Sequence, residues 1–491
     1  MPTPSPHHGP YVVIPVIGGF VRQIQRLVQL LPLLLVMASS AYAATPLPPG
    51  DVRVTNVELI REQQAEHIGT LGYIWGFPMV DMSTQMFNET HRVAPAQPVL
   101  APVNTFHRRE FLVTPSSSEG LRAPNNDTLY LSGWFDLSQG PVIVHAPDTA
   151  GRYYTLAVTD FFNEVTHLGR RTTGTAARDF ALVGPGWKGT LPTGVMAVPV
   201  KTKQAWILGR LLVDGEADFP VALGLLREFR AAPLSAWEKA GTFTPPEPAA
   251  APRLEPRESP EFFAVLNAWL RENATPADEG ALMALFDRAG FGPGVQFDAA
   301  ALDPATRRGL EKGISNARAM LRAAGNVPLP DVRNGWIFPL GLADYGHDYL
   351  SRAAVAAGGY ANRPEESTYA ARTVDDAGQP MTGARAYHLH FLPEQIPPAG
   401  AFWSLSAYDA LTRNLIENLI RRYSIGDRTR GLRKNADGSL DIHISRERPA
   451  GGASNWLPVG AGPFYLVVRI YEPGPAVFDG SYALPPLRPE P

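Results

Sequence analysis

The sequence contains no cysteine among its 491 residues. Disulfide bonds, thiolate zinc sites, iron–sulfur clusters and a cysteine nucleophile are therefore excluded. The absence of cysteine does not determine the compartment, because an exported protein can fold without disulfides. The absence of cysteine therefore restricts the possible chemistry of the protein, and its cellular location must be inferred from other parts of the sequence.

Signatures of several common enzyme classes are missing as well. The sequence has no G-x-S-x-G elbow, no P-loop, no strand-linked G-x-G-x-x-G and no H-E-x-x-H. Serine-hydrolase, nucleotide-binding and zincin assignments therefore lose their usual support. There is no basic stripe and the formal net charge is -3, so we do not expect nucleic acid as a partner.

The N-terminal region has the pattern of an export signal. Arg22 and Arg26 precede a short, mostly apolar run at 27–37, and Ala41-Tyr42-Ala43 follows it. A charged region, a short apolar region and a small-residue cleavage site typify a secretory signal peptide. The apolar run is too short to span a bilayer comfortably. We predict a signal peptide at 1–43, a periplasmic or secreted mature protein and no stable transmembrane span after cleavage; the alternative is an uncleaved anchor helix.

The mature chain begins with a helical pattern. Thr55 and Glu58 have the spacing of a capping box, in which a hydroxyl and a carboxylate three residues later satisfy the first backbone amides. Apolar residues at helical spacing then predict a helix over 56–75. Gly76 and Pro78 weaken a helix, so we expect the first helical stretch to stop there and a second one to follow.

Two regions of the chain have the pattern of β-structure. Short apolar or alternating runs bounded by Gly, Pro, Asn or Asp occur between 106 and 213 and again between 386 and 471, which is typical of sandwiches or barrels. A Pro-rich stretch and helical patterns separate them. We predict an α+β fold, mainly β, with two β-sandwich or jelly-roll-like domains joined by a helical middle section. The predicted segments are 52–240, 241–345 and 346–491.

Ordered motifs in both β-rich regions carry a resemblance to known families. These motifs are NNDTLY at 125–130, PDTAGRYY at 147–154, NWLP at 455–458 and RIYEP at 469–473. The segment from 52 to 213 resembles domain of unknown function 1254, and the segment from 349 to 487 resembles domain of unknown function 1214. The resemblance implies β-rich domains joined through helices, and export to the periplasm or cell envelope in many members. It supplies no catalytic residues.

The first two motifs contain candidate ligand-binding residues. Asn126, Asp127 and Tyr130 belong to a polar turn that leads into a strand, which is either a buried structural corner or the rim of a pocket. Arg152 and Tyr154 share one face of the next strand. An Arg beside a Tyr can bind a carboxylate or phosphate, or the Arg can pair internally with Asp127 or Asp160.

Candidates from the second region are two tryptophans, an arginine and a histidine pair. Trp403, Arg422 and Trp456 could contact a ligand, although a large aromatic can equally fill the seam between domains. His388 and His390 point the same way on a strand, so both could reach one metal ion. A third ligand would have to come from elsewhere, such as His347, Asp344 or His443. Two histidines on one exposed face do not by themselves define a metal site.

These residues leave more than one class of function open. The first is an exported cell-envelope protein that binds a small organic ligand in a cleft between the two domains, with no cofactor. The second is a cofactor-free hydrolase or lyase, which needs a buried Asp or His within hydrogen-bond reach of its substrate. The third is a metal-dependent enzyme centred on His388 and His390. The sequence assigns no catalytic residue, and homo-oligomerisation stays open.

Overall fold

The computed structural model describes residues 56–94, 100–118, 123–237, 243–324 and 331–490. The predicted signal peptide at 1–43 lies outside these residues. The chain divides into the units Met1–Glu58 and Leu59–Pro491, and the packing described below lies within the second. In the part of the chain that the structure describes, no helix has both the length and the apolar character needed to cross a bilayer.

Helix and strand make up similar shares of the protein. Helices account for 30% and strands for 27%, with the sheets in two regions, which confirms the α+β class; the jelly-roll connectivity stays a prediction. The α-helices are α1 Val57–Thr90, α2 Arg170–Thr173, α3 Phe219–Glu228, α4 Leu234–Trp237, α5 Glu261–Glu272, α6 Gly280–Asp287, α7 Pro304–Ala324 and α8 Tyr349–Gly358.

The strands divide between an N-terminal and a C-terminal set. The N-terminal set is β1 Arg92–Ala94, β2 His107–Arg109, β3 Thr128–Asp136, β4 Val142–Ala146, β5 Tyr154–Asp160, β6 Val165–Gly169, β7 Arg178–Val183, β8 Met196–Pro199, β9 Gln204–Leu212, β10 Arg230–Pro233 and β11 Ala250–Pro252. The C-terminal set is β12 Val332–Arg333, β13 Trp336–Ile337, β14 Ser367–Arg372, β15 Tyr387–Phe391, β16 Ala399–Asp409, β17 Ser424–Gly426, β18 Leu440–Ser445, β19 Trp456–Pro458, β20 Phe464–Pro473 and β21 Leu487–Pro489.

Each set contains two sheets packed face to face, and β1 and β11 of the N-terminal set form a separate two-stranded sheet. The first pair has the orders β2-β3-β9-β5-β6 and β10-β4-β7-β8, and the second pair has the orders β12-β13-β14-β20-β16-β17 and β19-β18-β15-β21. Alternate residues of β3, β5 and β9 meet residues of β4, β7 and β8 in one buried core. Residues of β14, β16 and β20 meet those of β15 and β18 in another. Apolar side chains therefore line the inside of both sandwiches, as period-two patterning predicts.

A third core belongs to the helices. Residues of α1, α5, α6, α7 and α8 pack together with aromatic residues that follow β5. Contrary to the expected stop near residue 75, α1 continues through Gly76 and Pro78 as a single helix. A proline inside a helix costs about 3 kcal/mol, but its neighbours Trp75 and Met79 are buried, and each such side chain contributes roughly 1.5–3 kcal/mol. Tertiary packing therefore overrides the local break.

Glycine in α1 also allows a neighbouring helix to approach closely. A Cβ atom on Gly76 would lie 2.6 Å from Cδ2 of Leu266 in α5, which is closer than such atoms can pack. The residue that weakens the helix in the sequence pattern thus provides the contact surface for α5 in the fold.

The two sandwiches face each other through the outer faces of their larger sheets. On β9, Ile207 and Leu211 enter the first core while Arg210 lies on the opposite face. On β20, Val468 and Ile470 enter the second core while Arg469 and Tyr471 lie on the opposite face. The rings of Tyr153 and Tyr471 are 5.4 Å apart, so these outer faces are in contact. The surface between the sandwiches therefore combines polar and aromatic side chains, whereas the cores on either side are largely apolar.

Candidate ligand-binding site between the two β-rich domains

The polar turn before β3 is both a local structure and a contact between the sandwiches. Asn125 Oδ1 accepts hydrogen bonds from the backbone amides of Asp127 and Thr128, each at 3.0 Å, which is the usual way that an Asn side chain stabilises a turn. Asn125 Nδ2 donates to the hydroxyl of Tyr471 in β20 at 3.1 Å. The backbone carbonyl of Pro124 accepts from the hydroxyl of Tyr408 in β16 at 2.8 Å. The turn is thereby fixed against the second sandwich.

Asp127 forms an ion pair that joins the two sandwiches. Its side chain is only 6% exposed. Its carboxylate accepts from Ser404 Oγ at 2.7 Å and from Arg428 Nη2 at 2.8 Å. Arg428 also donates from Nη1 to the carbonyl of Val213, just after β9, at 2.7 Å. Because the carboxylate and the guanidinium come from different sandwiches, the pair holds the interface as well as the turn.

A recess lies beside this ion pair. Its volume is about 140 Å³. Both sandwiches contribute to its lining: Leu112, Asn126, Asp127, Val213, Gly215, Trp403, Ser404, Ser424, Gly426, Arg428 and Thr429. Asn126 Oδ1 and Arg428 Nε are buried and have no hydrogen-bond partner among the described residues. An unsatisfied buried acceptor and donor cost free energy, so the residues around the recess have hydrogen-bonding capacity that the protein itself does not use.

Two family profiles match the chain in these regions. The profile for DUF1254, a protein of unknown function, matches residues 103–233. The profile for DUF1214, also of unknown function, matches residues 366–475. The chain carries DUF1254 followed by DUF1214. These matches confirm the resemblance seen in the motifs, while the outer boundaries at 52–240, 241–345 and 346–491 stay predictions.

A solved structure with the same overall fold is known. The chain is similar to the VPA0106 protein from Vibrio parahaemolyticus, with a TM-score of 0.66 and 24% identity over 88% of this chain and 100% of that chain. An uncharacterized protein from Burkholderia cenocepacia gives a TM-score of 0.41 and 12% identity over 89% of this chain and 94% of that chain. A search of curated proteins finds no match. The similarity to VPA0106 therefore establishes the fold. It gives no information on function, which must be argued from the site.

Of the candidates in the DUF1254 domain, only the turn residues reach the recess. Asn126 and Asp127 line it. Tyr130 lies deeper, on the face of β3 that meets the second sandwich, where the Arg210 guanidinium lies 5.6 Å from the centre of its ring. Arg152 pairs with Asp218 at 2.6 Å rather than with Asp127 or Asp160. Tyr154 is buried in the first core, its ring 5.6 Å from that of Phe229.

Of the candidates in the DUF1214 domain, only Trp403 lines the recess. Its ring packs in the second core, 5.8 Å from the ring of Phe391, so the recess is bounded by other parts of the residue. Arg422 donates to the carbonyl of Trp456 at 2.9 Å and stabilises a loop. The indole nitrogen of Trp456 donates to the carbonyl of Ser445 at 3.0 Å. The structure therefore does not bring Arg422 and Trp456 to the recess.

The histidine pair of the DUF1214 domain gains a carboxylate. One nitrogen each of His388 and His390 and a carboxylate oxygen of Asp441 lie within 4.8 Å of one another. His388 Nε2 and His390 Nδ1 both contact Asp441 Oδ1 at 2.7 Å. Partial burial opposes ionisation of Asp441, but hydrogen bonds from Asn435, His390 and His388 outweigh it and lower its pKa to about 2. Ligands around a tetrahedral ion would be roughly 3.3 Å apart, so small rotations must precede metal binding.

Of the proposed third ligands for that pair, His443 lies beside His388, whereas His347 and Asp344 lie elsewhere. His347 contacts Asp278 and Asp344 contacts Arg363, while His443 stacks on His388 with ring centres 5.1 Å apart and pairs with Glu490. Asp441 faces His390 directly across the β15–β18 pairing. Polar residues alternate along both strands in the sequence. Only the pairing register between the strands identifies Asp441 as the carboxylate beside the two histidines.

A second cavity, lined mainly by the DUF1254 domain, has a perturbed carboxyl group among its lining residues. It measures about 150 Å³ and is lined in part by Asp160, Glu164, Lys201 and Arg363. Burial raises the pKa of Asp160 to about 7. Its Oδ1 accepts from the backbone amides of Phe162 and Glu164. From the sequence, Asp160 is predicted only as a possible partner for Arg152. The residues around Asp160 give no sign that it is buried beside a cavity.

Proposed function

We propose that the protein is exported to the cell envelope and binds a small polar organic molecule in the recess between its DUF1254 and DUF1214 domains. The observation that carries this proposal is the composition of the recess. Its walls come from both domains, and Asn126 Oδ1 and Arg428 Nε retain unused hydrogen-bonding capacity. Ligand sites commonly lie at domain interfaces, with a few polar groups that fix orientation.

The size of the recess limits what it can enclose. A volume of about 140 Å³ corresponds to roughly four or five water molecules, which is less than the roughly 300–1,000 Å³ of a typical drug-sized pocket. A polar group of a few non-hydrogen atoms fits, such as a hydroxylated or amide-bearing end of a molecule. Ser404, Ser424 and Thr429 line the recess together with the Asp127–Arg428 pair. The proposed ligand is therefore polar and compact at the end that binds.

A ligand screen tests this proposal with the protein itself. We expect at least one polar metabolite to raise the melting temperature, because a molecule that binds only the folded state stabilises it. Ser424→Leu places a larger side chain in the recess and should abolish that rise. Ser138→Leu, at an exposed turn, is the matched control and should retain it. A ligand that stabilises the Ser424→Leu variant as well as the wild type would contradict binding at the recess.

Export has its own test. We expect a Gram-negative host expressing the full chain to release the mature protein into the periplasmic fraction, with Ala44 as its first residue, because the segment 41–43 has the small residues that signal peptidase requires. N-terminal sequencing of the fractionated protein measures this directly. Recovery of an intact N-terminus from the cytoplasm or the membrane would contradict it. Replacing Ala41 and Ala43 with bulky residues should block cleavage.

A cofactor-free hydrolase or lyase is the second candidate, favoured by Asp160. A carboxyl group with a pKa of about 7 beside a cavity is suited to general acid–base catalysis near neutral pH. If this candidate holds, the protein cleaves a member of a panel of chromogenic esters, the rate changes with an inflection near pH 7, and Asp160→Asn reduces it at least roughly a hundredfold. Turnover that is unaffected by Asp160→Asn would contradict it.

A further inference from the structure

The outer faces of the two large sheets enclose a group of tyrosines with two arginines among them. We name this group the tyrosine layer, and its members are Tyr130, Tyr153, Tyr369, Tyr408 and Tyr471, with Arg210 and Arg469. The rings of Tyr153 and Tyr471 are 5.4 Å apart, and the Arg469 guanidinium lies 5.4 Å from the ring centre of Tyr408 and 5.9 Å from that of Tyr369. None of these residues lines the recess beside Asp127.

Arg469 is buried with unused hydrogen-bonding capacity. The residue is 4% exposed. Its Nη2 donates to the carbonyl of Ala123 at 2.6 Å. Its Nη1 is buried without a hydrogen-bond partner among the described residues. A guanidinium with a free, buried donor is costly, because burial of a charge requires an opposite charge or a full set of hydrogen bonds.

Arg210, on the large sheet of the first sandwich, also has no carboxylate partner among the described residues. It donates from Nη1 to Asn362 Oδ1 at 2.8 Å, and Asn362 donates in turn to the hydroxyl of Tyr369 at 2.8 Å. Arg210, Tyr130 and Tyr369 are each partly exposed. Solvent therefore reaches the layer at these three side chains.

The charges around the layer do not balance. Glu366 is engaged by Arg171 at 2.8 Å and by the Tyr153 hydroxyl at 2.8 Å, and Asp127 is engaged by Arg428. Within the described residues, neither Arg210 nor Arg469 has an acidic side chain within ion-pair distance, unlike those two pairs. Burial raises the pKa of the Tyr153, Tyr408 and Tyr471 hydroxyls, so these groups are neutral at pH 7. Among the described residues, the buried Arg469 and the partly exposed Arg210 therefore lack a negative partner.

We infer that the tyrosine layer binds a small oxyanion, a carboxylate or a phosphate, between Arg210 and Arg469. A guanidinium presents paired N–H donors that match the geometry of such an anion, and tyrosine hydroxyls add further donors. Contact with the tyrosine rings stabilises the guanidinium groups, but by less than the cost of burying an unpaired charge. The inference goes beyond the proposed function, because the recess and the layer share no lining residue.

The test measures anion binding to the full chain in two ways. Protein purified in chloride-free, anion-poor buffer is denatured, and released formate, acetate and phosphate are quantified by ion chromatography. A second, folded sample is then titrated with each anion at constant ionic strength, and its melting temperature is measured. We expect either a near-stoichiometric released anion or a saturable rise of about 3 °C at a hundredfold excess over Kd. The carboxylates and phosphate are separate arms, so the result distinguishes the two sources.

Variants locate the response. Arg210→Met and Arg469→Met should each abolish the saturable rise, whereas Arg422→Met, an arginine that hydrogen-bonds only to carbonyls, should retain it. Tyr369→Phe keeps the ring but removes the hydroxyl, and we expect a roughly tenfold weaker affinity; it serves if an arginine variant fails to fold. A wild type that neither releases nor responds to any anion would overturn the inference. A response abolished by Ser424→Leu but retained in Arg469→Met would also overturn it, while supporting the recess.

Discussion

Replacing Asp127 with asparagine is expected to lower the free energy of unfolding by about 3 kcal/mol, because it leaves the Arg428 guanidinium as an uncompensated, largely buried charge. The asparagine retains the shape of the side chain and an oxygen that can accept from Ser404, so the loss reports mainly on charge. The interface should loosen as well, since Asp127 and Arg428 come from different sandwiches. Denaturant unfolding of wild type and variant measures the difference directly.

A double-mutant cycle separates the ion pair from other effects of the substitution. Arg428→Met alone should also destabilise the protein, whereas Asp127→Asn combined with Arg428→Met should recover much of the loss, because neither charge remains unpaired. Asp148→Asn, at an exposed turn of the same domain, is the control and should change stability by less than about 0.5 kcal/mol. Additive losses in the double variant would show that the pair does not hold the interface.

The turn that contains Asp127 illustrates how far sequence reasoning extends. Its polar composition predicts a turn before a strand, and Asn125 forms that turn with its own neighbours. Its partners could not be predicted in the same way. Ser404 and Arg428 lie 277 and 301 residues away along the chain, and only the packing of the two sandwiches brings them together. The sequence predicts the local turn, whereas contacts between distant segments can be identified only from the folded structure.

The two tyrosines at the start of β5 show the same limit of sequence reasoning. Alternation separates Tyr153, which precedes β5, from Tyr154, its first residue, and the two side chains do pack in different clusters. It could not say which face is the core and which meets the other domain. Tyr154 enters the first core, while Tyr153 contacts Phe402 of the second sandwich with ring centres 5.5 Å apart. Period-two patterns assign residues to a face, but the partner of that face depends on the neighbouring sheet.

The sequence shows the polar alternation around Arg469 but does not show that this face of the strand is buried. It belongs to the RIYEP motif, and Tyr465, Arg469 and Tyr471 alternate with apolar residues along β20. A polar face on a strand usually indicates exposure to solvent. Here that face is covered by the first sandwich, so an arginine and its tyrosines are buried together. The polar face of a strand therefore marks an interface in this protein rather than a free surface.

The pH dependence of stability provides the second large prediction, centred on Asp160. Burial raises the pKa of Asp160 to about 7 in the folded protein, about three pH units above the roughly 3.9 of an unperturbed aspartate. Below about pH 4 the carboxyl group is protonated in both states and has no effect. Between pH 4 and 7 the unfolded chain releases its proton while the folded protein retains it, so stability falls as pH rises. Above pH 7 the loss is complete, at about 4 kcal/mol.

Asp160→Asn removes this ionisation and preserves the local hydrogen bonds, because an amide oxygen can still accept from the backbone amides of Phe162 and Glu164. We therefore expect the variant to match the wild type near pH 4 and to exceed it by up to about 4 kcal/mol at pH 8. Unfolding free energies at pH 4, 6 and 8 measure the difference. Asp136→Asn, which also accepts from a turn amide, should stay within about 0.5 kcal/mol throughout. Parallel pH profiles for wild type and Asp160→Asn would mean that this carboxyl group ionises normally, and the acid–base candidate would then lose its residue.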